Sequence, residues 1–321
     1  MSPSREGERG STLVFTAIAM AVILVVSAIA IDLGVIGAAR SQLQNAMDAA
    51  ALAGASGLFD DQDKATQLAI TFAGLNECMN DAVIITDANV SFPASDQVRV
   101  EETQQIDLYF AKVIGMNTAD IYAEATAALG SLSGTGQVKP WAIPDFDYVL
   151  GDEVLLKSGE SDPPSANSSF FYCVDFPPLN KGTPITGASE YEDNILYGSS
   201  MAIEIGDQLQ IEPGNMAGPT GHGVRDLIAM DPNAVWNGST NRIDNSDFAE
   251  FSSPRVCKIA MYDPDIPPES GRNYVTVVRL GAFFLERIQG NKSVYGRFIE
   301  ITTGGVWGPG DSDLYGVKLV Q

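Results

Sequence analysis

Histidine occurs once, at His222, and cysteine three times, at Cys78, Cys173 and Cys257, in a chain of 321 residues. No Cys-x-x-Cys pair exists, so the usual nitrogen and sulfur donor sets of a zinc site are largely excluded. Basic residues are scarce too. Nineteen Lys and Arg stand against 41 Asp and Glu, a formal charge of −22, and no basic patch is visible, which excludes nucleic acid as a partner because phosphate binding relies on clustered cations. The acidity could serve solubility, repulsion between copies or cation binding, and composition does not rank these. Gly-x-Ser-x-Gly, His-Glu-x-x-His and Gly-Lys-Ser/Thr are all missing, so no catalytic, cofactor-binding or metal-binding residue is assigned.

A different absence organises the rest. From Leu13 to Ile31 no charged residue appears, and an apolar run of that length can cross a hydrocarbon core that needs ~20 residues of helix. Asp32 marks its outer edge, followed by Arg40. A carboxylate there could pair with a partner helix or with Arg40, or simply be a hydrated boundary residue. Beyond Arg40 the helix turns amphipathic, with Leu43, Met47, Ala50 and Gly54 on one face and Gln44, Asn45 and Asp48 on the other. Such small side chains suit close packing, either on the chain's own body or on a partner helix. Few basic residues follow the run, so the expected topology is a head inside, one pass, and an exported body. A cleaved signal peptide is the competing reading, with Ala-x-Ala-like sites at Ala17-Ile18-Ala19 and Ala28-Ile29-Ala30.

Glu8-Arg9-Gly10-Ser11, the apolar run, Ile31-Asp32-Leu33-Gly34 and the stretch from Arg40 through Ala55 together resemble the N-terminus of TadE/TadG-like proteins of tight-adherence (Flp) pilus assembly. Val98-Arg99-Val100, Tyr109 to Gly115 and Tyr122 to Ala127 resemble that family's membrane-proximal region, and parts of residues 212–223, Phe283 to Glu286 and Gly296 to Phe298 are similar to the C-terminal region of some TadG-like members. One position departs: the family's pilins carry Glu five residues after the processed Gly, where this chain has Phe15. The resemblance implies a non-enzymatic, cytoplasmic-membrane protein whose partners are the membrane and other pilus-assembly or envelope proteins.

The expected organisation is a cytoplasmic head (1–10), a transmembrane helix with amphipathic extension (11–58), a small α+β module (59–130), a linker (131–139) and a mainly-β extracytoplasmic domain, sandwich or barrel-like (140–321). In the module, a helix from Lys64 to Gly74 with Ala65, Leu68, Ala69 and Phe72 as its stripe precedes a hairpin of 82–86 with 97–101. A helix from Ile106 to Ile114 and a strand from Ala119 to Leu129 complete it. Gly130 to Gly136 reads as flexible by composition. Beyond it, short β-like runs recur between turn residues, with Val224–Met230 as the one short helix. Leu150–Gly159 and Ile205–Gly214 align weakly through Gly-Asp turns, which suit any hairpin.

Three stretches remain. Glu212 to Gly223 holds four glycines and two prolines in twelve residues. Glu212, Gly214, Asn215, Gly218, Pro219, Thr220 and His222 in it form a rigid structural loop or a ligand loop of unknown role. Asp311 to Gly316 opens like a calcium loop but lacks the twelfth-position Glu, so it reads as a turn, as do Asp263-Pro264-Asp265 and Asp145-Phe146-Asp147. Cys173 and Cys257 are the expected disulfide, both in distal strands, with Cys78 free. The alternative function is a membrane-anchored extracytoplasmic hydrolase, through a Ser/Lys pair, or a ligand-binding protein.

Overall fold

A computed structural model describes residues 6–157, 172–214, 216–249, 251–266, 268, 273–291, 293–309 and 312–320. The chain groups into two compact units, Met1–Leu129 with Lys318–Gln321, and Gly130–Val317. An N-terminal apolar helix, a small helix-and-strand part and a mainly-β distal region make up its architecture.

In the first unit α1 runs from Glu6 to Gly57 and α2 from Gln62 to Gly74. Asp61 caps α2, its side chain accepting from the Lys64 N–H at 2.7 Å, which satisfies one of the four free donors of a helix start. Ala65, Ala69 and Ala73 are the buried residues of α2, while Phe72 is exposed. The expected stripe is thus rotated toward alanines. The reason is spacing: a Cβ on Gly57 would come within 2.7 Å of the Ala65 Cα, and one on Gly54 within 3.3 Å of the Ala69 Cβ, distances that only small side chains permit.

The outer part of α1 covers a hairpin of the strands Gln97–Asp107 and Thr118–Thr135. Alternation decides which face goes inward. Val98, Val100 and Ile106 are buried, as are Ile121, Ala123, Ala125 and Ala127 opposite them. On the other face Arg99 contacts Glu101 and Glu124, and Tyr122 donates to Glu101 at 2.9 Å. The hairpin expected between 82–86 and 97–101 is not formed. Val90–Ser91 pairs with Arg99 and Val100 instead, and residues 81–82 pair with 77–78. The helix expected over 106–114 is also corrected. Ile106 and Leu108 both point inward at strand spacing, the strand ends at Asp107, and only Ala111–Ile114 forms a short 3-10 turn closed by Gly115 at φ +88°.

In the second unit seven strands form one sheet, in the order Gln208–Ile211, Tyr172–Asp175, Val138–Pro144, Val256–Tyr262, Tyr274–Gln289, Ser293–Ile299, Glu153–Lys157. The 138–144 and 256–262 strands are parallel and the other neighbours antiparallel. Cys257, Ile259, Met261, Phe283 and Leu285 point to one face, where α3 (Ala188–Tyr197) and α4 (Ala217–Met230) supply Tyr191, Ile195, Val224 and Leu227. The alternate residues Ala260, Ala282 and Phe284 point to the other, against Leu132, Ile203, Ile301 and Leu314. Two helices therefore stand where one was expected. The stretch read as a flexible linker also differs: residues 130–135 are strand, and Leu132 is fully buried. A buried apolar side chain outweighs the local glycine and serine content.

Candidate functional site

All four residues of the expected packing stripe on α1 are buried: Leu43, Met47, Ala50 and Gly54. Their neighbours belong to the same unit. Gly54 faces Val98, whose Cγ1 would sit 3.0 Å from an added Cβ, and Gln44 donates to the Glu124 carbonyl at 2.8 Å. Cys78 lies buried against the same helix, its thiol 3.4 Å from the Ala39 carbonyl, and burial pushes that thiol's pKa up.

Asp32 is buried and bonded to backbone amides rather than to Arg40, which is exposed. Its carboxylate accepts from the backbone N–H of Tyr109 at 2.8 Å, from Phe110 at 3.1 Å and from Ala111 at 2.6 Å. One side chain on the helix thus closes the turn after the 97–107 strand, since a carboxylate holds converging amides through charge-assisted bonds. Sequence reasoning singled out Asp32 but not its partners, which lie 77 to 79 residues away.

The Gly/Pro-rich stretch is half helix. Ala217 to Gly223 opens α4, with Pro219 in its first turn, where a missing N–H costs nothing. Glycine is needed there for contact: a Cβ on Gly223 would meet the Ile195 Cγ2 of α3 at 2.8 Å. Thr220 is fully buried and shares a hydrogen bond of 3.1 Å with the Tyr191 hydroxyl, which also accepts from Trp141 Nε1 at 3.0 Å and the Cys173 thiol at 3.2 Å. His222 is exposed and stands 3.7 Å from Glu192. Gly214 holds a left-handed turn at φ +104°, Gly218 has open space where a Cβ would be, and Asn215 lies outside the described residues.

Glu212 is the member of this stretch with an unforeseen partner. Both it and Asp175 are buried. Burial first, then the Glu212 side chain bonded to it, holds the Asp175 carboxyl protonated well above the ordinary carboxylate range. The folded unit keeps a proton that the unfolded chain releases near pH 4, so stability falls as pH rises from there toward the raised value. Asp175→Asn, which imitates the protonated form, is expected to flatten that slope and raise the unfolding midpoint at neutral pH. Urea titrations across the pH range check it, and an unchanged slope would contradict it.

The expected Cys173–Cys257 disulfide is corrected. All three cysteines are free and buried. Cys173 pairs with Trp141 on the 138–144 strand, and that strand separates it from the strand of Cys257. Two strand spacings of roughly 4.8 Å exceed the roughly 7 Å limit for bridgeable Cα atoms. Burial, as the largest cause, raises the Cys257 thiol to about 11.

The weighed acidic turns are engaged otherwise. Arg279 reaches Asp145 at 3.4 Å and Asp313 at 3.1 Å, and the Tyr148 hydroxyl donates to Asp313. Asp263 accepts from the Asp265 N–H at 2.9 Å. Asp311 lies outside the described residues, and no group of three potential metal ligands occurs among those described.

A cleft of about 490 Å³ in the second unit is lined by Lys139, Lys258, Ser253 and Thr303 among others. Burial lowers the pKa of both lysines, and Lys139 lowers that of Lys258 further. The Ser/Lys arrangement of a hydrolase is not what they form: Lys139 donates to the Leu196 carbonyl at 2.9 Å, and Ser253 donates to Asp231 at 2.6 Å. What the cleft offers is two desolvated cations side by side in an acidic chain.

Residues 10–57 match the family described as "Putative Flp pilus-assembly TadE/G-like". The match coincides with α1, and residues 98–130 lie beyond it. No curated protein matches the chain, and no solved structure does. α1 is also the one described helix long and apolar enough to cross a membrane. A pilus-assembly family domain on such a helix fits a membrane-anchored role in that system.

Proposed function

We propose that this protein is a single-pass component of the cytoplasmic membrane, with its N-terminus inside and its body extracytoplasmic, that acts without catalysis in assembly of a Tad-type pilus. The observation that carries the reading is the coincidence of the family match, residues 10–57, with the apolar helix. Packing adds to it. The outer part of α1 is bonded into a folded unit through Asp32 and Gln44 and packed into it at Gly54, so the helix supports a body as well as tethering it. The partners are then other pilus-assembly or envelope proteins.

Deletion of the chain from a piliated cell should abolish surface pili, which electron microscopy would count. Protease added from the extracytoplasmic side should remove residues after about 60 and leave a membrane-held N-terminal fragment. Unaltered piliation would refute the assembly role, and a fully protected body would reverse the orientation.

A further inference from the structure

The turn that Asp32 holds carries an unusual surface. Tyr109, Phe110, Val113, Ile114 and Met116 follow one another within eight residues and all are exposed, Val113 at 89% and Ile114 at 77%. An apolar groove of about 530 Å³ joins all of these but Tyr109 to α1, where Leu24, Val25, Ala28 and Ile29 form the opposite wall. Leu24 lies eight residues before Asp32, about 12 Å along the axis at the helical rise, and so inside the uncharged run Leu13 to Ile31.

We infer that the 108–116 turn is a second membrane-embedded element, dipping into the outer half of the bilayer beside α1, with lipid acyl chains filling the groove. This rests on the reading of α1 as a membrane span. The argument for lipid is continuity, because the groove's far wall is the spanning helix itself, and side chains level with Leu24 to Ile29 share its solvent. Backbone chemistry agrees. Irregular chain survives at hydrocarbon depth only when its polar groups are satisfied within the protein. Here Leu108 N–H donates to the Asn117 carbonyl at 2.9 Å, the next three N–H groups go to Asp32, and Val113, Gly115 and Met116 donate to the carbonyls of Phe110, Lys112 and Ala111, each at 3.1 Å. Tyr109 and Lys112 flank the apolar residues with long side chains that end in a polar group, the kind that extends to the headgroup level.

The test uses the full chain in phosphatidylcholine vesicles. The native thiols are buried, so cysteines introduced by Val113→Cys, Val22→Cys and Leu75→Cys can each be labelled with an environment-sensitive fluorophore on the folded protein. Val22 sits in the span and Leu75 on the exposed body, 57% and 73% accessible. At 113, as at 22, the expected result is blue-shifted emission, quenching by doxyl-labelled lipid and several-fold weaker quenching by aqueous iodide than at 75. Iodide quenching at 113 with protection at 22 overturns the inference and leaves the anchor reading standing. Exposure at both positions overturns the anchor as well. Protection at 113 from both quenchers would mean that a protein helix fills the groove, and would equally overturn it.

Discussion

Arg255→Met should destabilise the distal unit by roughly 3–5 kcal/mol. Arg255 is 4% exposed. Its guanidinium donates to four carbonyls: Leu285 at 2.8 Å from Nε, Asp231 at 2.9 Å and Ala234 at 2.8 Å from Nη1, and Glu286 at 2.8 Å from Nη2. It also lies 5.0 Å over the Phe284 ring. Methionine keeps the unbranched stem and its packing but leaves those carbonyls dry, and a buried acceptor without a donor forfeits its solvation. Trp141, Trp236 and Trp307 are the chain's three tryptophans, and all fall within Gly130–Val317. Urea unfolding followed by tryptophan fluorescence therefore reports this unit. A midpoint within error of the parent would show that water reaches the carbonyls.

Gly54→Leu should cost the first unit roughly 1–3 kcal/mol by overpacking. The Cβ alone would lie 3.0 Å from the Val98 Cγ1 and 3.3 Å from the Ala65 carbonyl oxygen, and the second of these is backbone that cannot turn aside. Hydrogen exchange of the α2 amides should quicken while the tryptophan-monitored midpoint stays in place, which assigns the loss to α1 and its neighbours. If exchange is unchanged and complex formation is lost instead, the stripe belongs to a partner interface.

The two halves of the chain were unequally legible. α1 is readable because one property, freedom from charge, persists over Leu13 to Ile31, and the stripe from Leu43 to Gly54 repeats at helical spacing; both signals are local. The distal strands were also found near Glu153, Gln208, Val256 and Tyr274, since turn residues bracket each run. Strand order was not readable. That 138–144 lies between the strands of Cys173 and Cys257 depends on a parallel crossover that no local pattern records, and the expected disulfide failed on it. The same limit hid the partners of Asp32 and Glu212. At α4 the propensity of glycine gave the wrong answer, because Gly223 answers to Ile195 on another helix rather than to its own backbone freedom.

α1 continues unbroken for 52 residues, about 78 Å at the ordinary rise, and its outer part is seated through contacts with no slack on the 97–107 strand at Gly54 and on α2 at Gly57. Such an element behaves as a lever. A tilt of its apolar half would be delivered to the hairpin as rotation, because no proline interrupts the rod to absorb it. Displacing one end of such a rod displaces the other, so the packing at Gly54 and the bonds at Asp32 couple the apolar run of α1 to the unit that carries the hairpin.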